Sequence, residues 1–119
     1  MKNKKLLSFV NILYAFRGIF FLIRTERNSL IYLVMMAVVS VLGFRCHLNS
    51  KEWIVIIFVT CLVWMAEAFN TAIELLADEI SEEQRERLGR AKDVAAGGVL
   101  FAALGAFGVG MIIFLPHFF

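Results

Sequence analysis

In the stretch WMAEAFNTAIELLAD, residues 64–78, Glu67, Asn70, Glu74 and Asp78 recur at the end of a long apolar run. At ~100° per residue, Glu74 lies about 20° from Glu67, Asp78 about 20° to the other side and Asn70 about 60° away, so all four share one side of a helix. An acidic residue at mid-membrane costs on the order of 2.5–3.5 kcal/mol on insertion scales. Three uses could repay that. The stripe could be neutralised by Arg or Lys from another helix and simply hold a bundle. It could relay protons or ions. It could also hold a divalent metal for phosphoryl transfer. From this one helix, all three stay open.

The elements that carry these residues follow from composition. Of 119 residues, 61% are apolar, twelve are Phe, eight are Gly and one is Pro, and mean hydropathy is +0.79. Ordinary soluble domains stay near 45–50% apolar, and a chain this short cannot hide the excess from water by itself. The sequence therefore predicts one domain, residues 1–119, in a bilayer. A net charge of +2 has no basic patch interleaved with aromatics, which argues against a nucleic-acid partner. Cys46 and Cys61 form no metal motif and give no reason to expect a disulfide. The start MKNKKLLSFVNILYAF resembles a signal peptide, but Arg17 interrupts it and no small-residue cleavage site follows. Retention in the mature chain is expected.

The reading is an all-α membrane protein with transmembrane helices at 28–48, 53–77 and 94–115. Residues 5–27 differ, because Asn11, Tyr14, Arg17 and Arg24 punctuate the apolar run and the two Arg are seven apart on one helical face. An amphipathic helix lying in the membrane interface fits that pattern. Six Lys and Arg precede the first span, two lie in the first loop and four in the second. By the positive-inside rule the N-terminus and residues 78–93 face the cytoplasm, as in a bacterial cytoplasmic-membrane protein. The third span is dense in Gly and Ala, which permits close helix approach and self-association.

With Trp53 at the outer boundary, Glu67 is about 21 Å in at ~1.5 Å per residue. In a core ~30 Å thick, that leaves Glu67 well inside and Glu74 near the inner edge. Glu26, in RTERN, is level with Glu74 at the mouth of the first span. Two such carboxylates suit Mg²⁺, which prefers hard oxygens and keeps water and substrate phosphate. Glu67, in a more apolar setting, is suited to take a proton from an alcohol. Lys92 and Asp93, in GRAKD, offer a cation and a carboxylate at the start of the third helix, where a helix N-terminus favours anions. An ion conductor needs no charged loop such as SEEQRERLGRAKD, whereas a nucleotide-using enzyme does. Taken singly, each has a plainer account: Glu26 as part of a solvated cluster, Lys92 snorkelling, EEQRER as a solvated helical face. The combination carries the enzyme reading over an ion conductor or a structural subunit.

RTERN at 24–28, EAFNTAIE at 67–74 and AKDVAAGGVL at 91–100 together resemble the small prokaryotic diacylglycerol kinase and undecaprenol kinase family over most of the chain. The resemblance implies a homotrimer of three-span subunits, each with an N-terminal interfacial helix. It implies transfer of the γ-phosphoryl of MgATP to the hydroxyl of a membrane lipid. By motif position, Glu67 resembles the general base, and Glu26 and Glu74 the holders of Mg²⁺ and ATP phosphates. Asn70 and Lys92 would orient the γ-phosphate and acceptor hydroxyl. Tyr14 and Asp93 would contact nucleotide, and Glu83, Gln84 and Arg85 occupy the segment lining its site. Arg85 stands where many members have His, Tyr32 where undecaprenol-type members often have it, and Leu7 where the diacylglycerol-type enzyme has a basic residue. TERN and KDVAAGGVL look more like the undecaprenol branch, with diacylglycerol as the alternative acceptor.

Overall fold

The computed structural model describes residues 4–83 and 85–119. It contains four helices: α1 (Lys4–Thr25), α2 (Ser29–Arg45), α3 (Ser50–Ile80) and α4 (Glu86–Phe118). The chain divides into two compact units, Met1–Val34 and Met35–Phe119.

In the first unit, α1 turns into α2 through Glu26, Arg27 and Asn28. The turn is closed by Glu26 N–H donating to the Leu22 carbonyl (2.9 Å) and Ser29 N–H donating to the Glu26 carbonyl (3.2 Å). Ser29, 2% exposed, sends its hydroxyl back to the Leu22 carbonyl at 3.1 Å. A buried hydroxyl needs such a partner, and this one fixes the backbone that carries Glu26. Along α1, the Arg17 guanidinium lies 5.9 Å from the Tyr14 ring centroid and that of Arg24 5.5 Å from Phe20. The helix thus folds its charges along its own aromatics.

The second unit is a helical hairpin of α3 and α4, with the rest of α2 at one end. On α3 the buried residues are Ile56, Val63, Glu67, Asn70 and Ala77. Their spacings of seven, four, three and seven make a single seam of the kind that packs helix on helix. Near the α2–α3 connection, Leu48, Ile56 and Ile113 form the apolar core, with Val39, Trp53 and Phe114 against it. α2 ends in a left-handed cap: His47 has φ 54°, its N–H donates to the Phe44 carbonyl and that of Leu48 to the Gly43 carbonyl. That is the Schellman arrangement, with Leu48 as its apolar contact. Asn49 then opens α3 in a reciprocal cap with Glu52, 2.9 and 3.1 Å, and the other Glu52 oxygen lies 3.4 Å from His117 Nε2 at the end of α4.

Gly43 is required by this turn. A Cβ there would sit 2.5 Å from Trp53 Cη2 and 2.8 Å from Cζ2, and the indole stacks at 5.0 Å on Phe44. Gly43→Ala should destabilise the protein by about 1–3 kcal/mol, as overpacking does. Thermal unfolding in detergent micelles checks it, and a midpoint at or above wild type would refute the close packing.

Sequence and structure agree on an all-helical chain with three helices long and apolar enough to cross a bilayer, but membership differs. The qualifying helices are α1, α3 and α4, whereas α2 has 17 residues. The left-handed cap at His47 takes the chain out of the helix at Arg45, so α2 covers about 26 Å at ~1.5 Å per residue. α3 and α4, with 31 and 33 residues, outrun a core of ~30 Å and carry their ends beyond it. α4 begins at Glu86, ahead of the apolar run. It also continues past Pro116 to Phe118, since proline in a last turn removes only one hydrogen bond.

Candidate active site

The α3 seam turns from apolar to polar along its length. Ile56 and Val63 are followed on the same face by Glu67, 2% exposed, and Asn70, 9% exposed. One turn on, Glu74 and then Asp78 are exposed. Glu67 is thus enclosed by the protein and Glu74 is not. Asn70 Nδ2 donates to Glu74 Oε1 at 3.3 Å. Its carbonyl Oδ1 is buried and has no hydrogen-bond partner among the described residues. Such an orphan destabilises the fold and points to a group that binds there. Being an acceptor, it fits a hydroxyl donor or a cation, not a bare phosphate oxygen.

Beyond Asp78 the chain makes an elbow into α4. Ser81 N–H donates to the Ala77 carbonyl, Arg85 N–H to the Glu83 carbonyl, and Glu83 N–H to Ser81 Oγ at 3.1 Å. A cavity of about 530 Å³ opens there, with Asp78, Ser81, Glu83, Arg85, Gly89 and Lys92 in its wall. Its size falls within the roughly 300–1,000 Å³ of small-molecule sites. Glu83, Arg85 and Lys92, expected around a nucleotide, thus share one cavity, while Asp93 is exposed on α4 outside it. Gln84 lies outside the described residues.

Lys92 departs from its expected setting. Because α4 starts at Glu86, Lys92 is nearly two turns inside the helix, and no helix N-terminus surrounds it. Its Nζ donates to Asp78 Oδ1 at 2.5 Å, across the elbow. Nothing in α3's own periodicity signals that Asp78 has a partner fourteen residues away. Tyr14, exposed on α1, and Glu26, half-buried in the α1–α2 turn, belong to the first unit.

Residues 13–114 match the model of the family described as prokaryotic diacylglycerol kinase. The chain belongs to that family. It is 35% identical to an undecaprenol kinase of Bacillus subtilis over 108 residues, covering 91% of this chain and 88% of the relative. It is 34% identical to a diacylglycerol kinase of Synechocystis over 108 residues, 90% of this chain but 62% of that protein. A diacylglycerol kinase of Escherichia coli is 40% identical over 57 residues, about half of each chain. The resemblance read from three motifs therefore extends along nearly the whole sequence. This family member is a lipid kinase, and its long apolar helices make it an integral membrane protein.

Among the described residues, no three His, Cys, Asp or Glu side chains converge as a metal cluster. The donors on α3 nonetheless fit a Mg²⁺ ion. Glu74, at the exposed end of the seam, offers hard carboxylate oxygens, and magnesium in phosphoryl-transfer sites takes one or two carboxylates and completes its shell with water and phosphate.

Proposed function

We propose that this lipid kinase phosphorylates undecaprenol, using ATP with Mg²⁺, at a site on the cytoplasmic side of a bacterial cytoplasmic membrane. The observation that carries the site is the pair of buried polar residues, Glu67 and Asn70, on the seam that leads to the elbow cavity. The lipid hydroxyl docks by donating its one O–H to Asn70 Oδ1 and, as the alcohol oxygen attacks, turns that proton to the Glu67 carboxylate. The alcohol oxygen forms a bond to the γ-phosphorus while the bond to the β–γ bridging oxygen breaks, releasing ADP. Lys92 stands against the γ-phosphate charge as that bond changes. Glu83 and Arg85 line the nucleotide's approach, with Gln84, Asp93 and Tyr14 completing its contacts. Glu74, together with Glu26 as the family motif implies, would hold Mg²⁺, which would supply neutralisation of the phosphate charge. Such chemistry is mostly positioning, so a helical hairpin can carry it.

The membrane arrangement follows from the charges already described. α2, whose 17 residues cover about 26 Å at ~1.5 Å per residue, spans with α3 and α4, while α1, although long enough to cross, lies in the interface with Phe9, Phe16, Phe20 and Ile23 recurring on one apolar stripe. A homotrimer fits the small face of α4, where a Cβ at Gly97, Gly98, Gly105, Gly108 or Gly110 would meet nothing within 4 Å. Small residues left open in this way suit packing against another subunit.

The choice of undecaprenol rests on the similarity to the Bacillus subtilis undecaprenol kinase, which spans most of both chains. Diacylglycerol is the second reading, because the Synechocystis diacylglycerol kinase is almost equally similar. Purified protein offered both lipids with radiolabelled ATP should give kcat/KM for undecaprenol about tenfold higher, a difference of ~1.4 kcal/mol at the transition state. The reverse preference would transfer the reading to diacylglycerol. Label in neither lipid, with ion flux through liposomes in the absence of nucleotide, would replace it with a conductor.

A further inference from the structure

Asp78 is placed where a carboxylate is electrostatically disfavoured. It lies in the closing turns of α3, which end at Ile80 with no basic residue in the last turn. The negative end of a helix dipole repels such a charge. What offsets it is Lys92 of α4, at 2.5 Å. Both side chains are substantially exposed, 40% for Lys92 and 63% for Asp78, and ion pairs in that setting contribute little to stability. Holding the hairpin together is thus a weak account of the pair.

Its geometric effect is stronger. A lysine ammonium on a four-carbon stem has many rotamers, and one near a membrane surface snorkels toward the headgroups by default. Asp78 follows Glu74 by four residues and Asn70 by eight, on the same side of α3. The pair draws the Lys92 ammonium off its own helix and onto the face that bears Glu67, Asn70 and Glu74. Both partners also line the elbow cavity, so the cation is held at the cavity wall, one turn beyond Glu74 on the same side of α3.

We infer that Asp78 is a positioning residue for phosphoryl transfer, holding the Lys92 ammonium at the wall of the elbow cavity on the Glu74 side of α3. The inference rests on the reading of Lys92 as the group that meets the γ-phosphate. Orientation fixed before binding is worth most in the transition state, so removing the tether acts on kcat more than on the binding of ATP.

The test compares wild type, Asp78→Asn and Asp78→Glu in one detergent–lipid system, with kcat, KM for ATP and thermal midpoint measured for each. Asp78→Asn should lower kcat about tenfold to a hundredfold, the scale of a misplaced catalytic group, with KM and midpoint close to wild type. Asp78→Glu, which keeps the carboxylate, should restore most of the lost kcat. A kcat near wild type in Asp78→Asn would overturn the inference. So would equal losses in both variants accompanied by a lower midpoint, the signature of a structural pair. Failure of the wild type to phosphorylate lipid would instead overturn the kinase-site reading on which the inference stands.

Discussion

Glu67→Gln should lower lipid phosphorylation by about 10²–10⁴-fold, the contribution typical of a positioned general base, with KM for ATP close to wild type. Glutamine keeps the size and hydrogen-bonding capacity of the side chain and loses only the ability to take a proton. Glu67 is 2% exposed in a seam that it shares with Ile56, Val63, Asn70 and Ala77. Removing a carboxylate from such a place relieves desolvation, so the variant should be no less stable than wild type. Loss of activity with a retained or raised thermal midpoint separates chemistry from folding. Nucleotide binding measured directly, by equilibrium dialysis against ATP, should survive, because the elbow cavity with Glu83, Arg85 and Lys92 lies further along the hairpin. Substantial turnover in this variant would remove Glu67 from the role of base.

The parts of this arrangement visible in the sequence are those set by local periodicity. Glu67, Asn70, Glu74 and Asp78 fall on one side of α3 because a helix repeats every 3.6 residues, and the structure keeps them there. Features set by turns were less legible. The left-handed cap at His47 ends α2 at Arg45, just past the apolar run, so the helix has 17 residues and stops short of Leu48, and the helices long enough to span are α1, α3 and α4. α4 begins at Glu86 rather than at the apolar run, because an exposed i,i+4 pair, Glu86–Arg90 at 2.8 Å, continues the helix into the charged segment. Features made by tertiary contact had no sequence signal at all. Asp78 meets Lys92 only because the elbow folds α4 back on α3, and Gly43 matters only because Trp53 lands on it.

The orphaned oxygen of Asn70 yields the sharpest separation of stability from function. A buried carbonyl without a partner costs about 1–3 kcal/mol, and the seam around it runs from Val63 and Glu67 on one side to Ala77 on the other. Asn70→Leu keeps the branched outline of the side chain, deletes the orphan and releases Glu74, which is exposed and can turn to water. The thermal midpoint should therefore rise, by an amount corresponding to roughly 1–2 kcal/mol once the lost Asn70–Glu74 hydrogen bond is set against the gain. Turnover should fall by about 10²–10³-fold, as when one preorganised polar contact at a reacting centre is removed. A residue that lowers stability while it is present, and activity when it is absent, is held for what it binds. Were Asn70→Leu less stable than wild type, Oδ1 would have a structural partner in the assembled protein, and the assignment of that oxygen to the acceptor hydroxyl would fall.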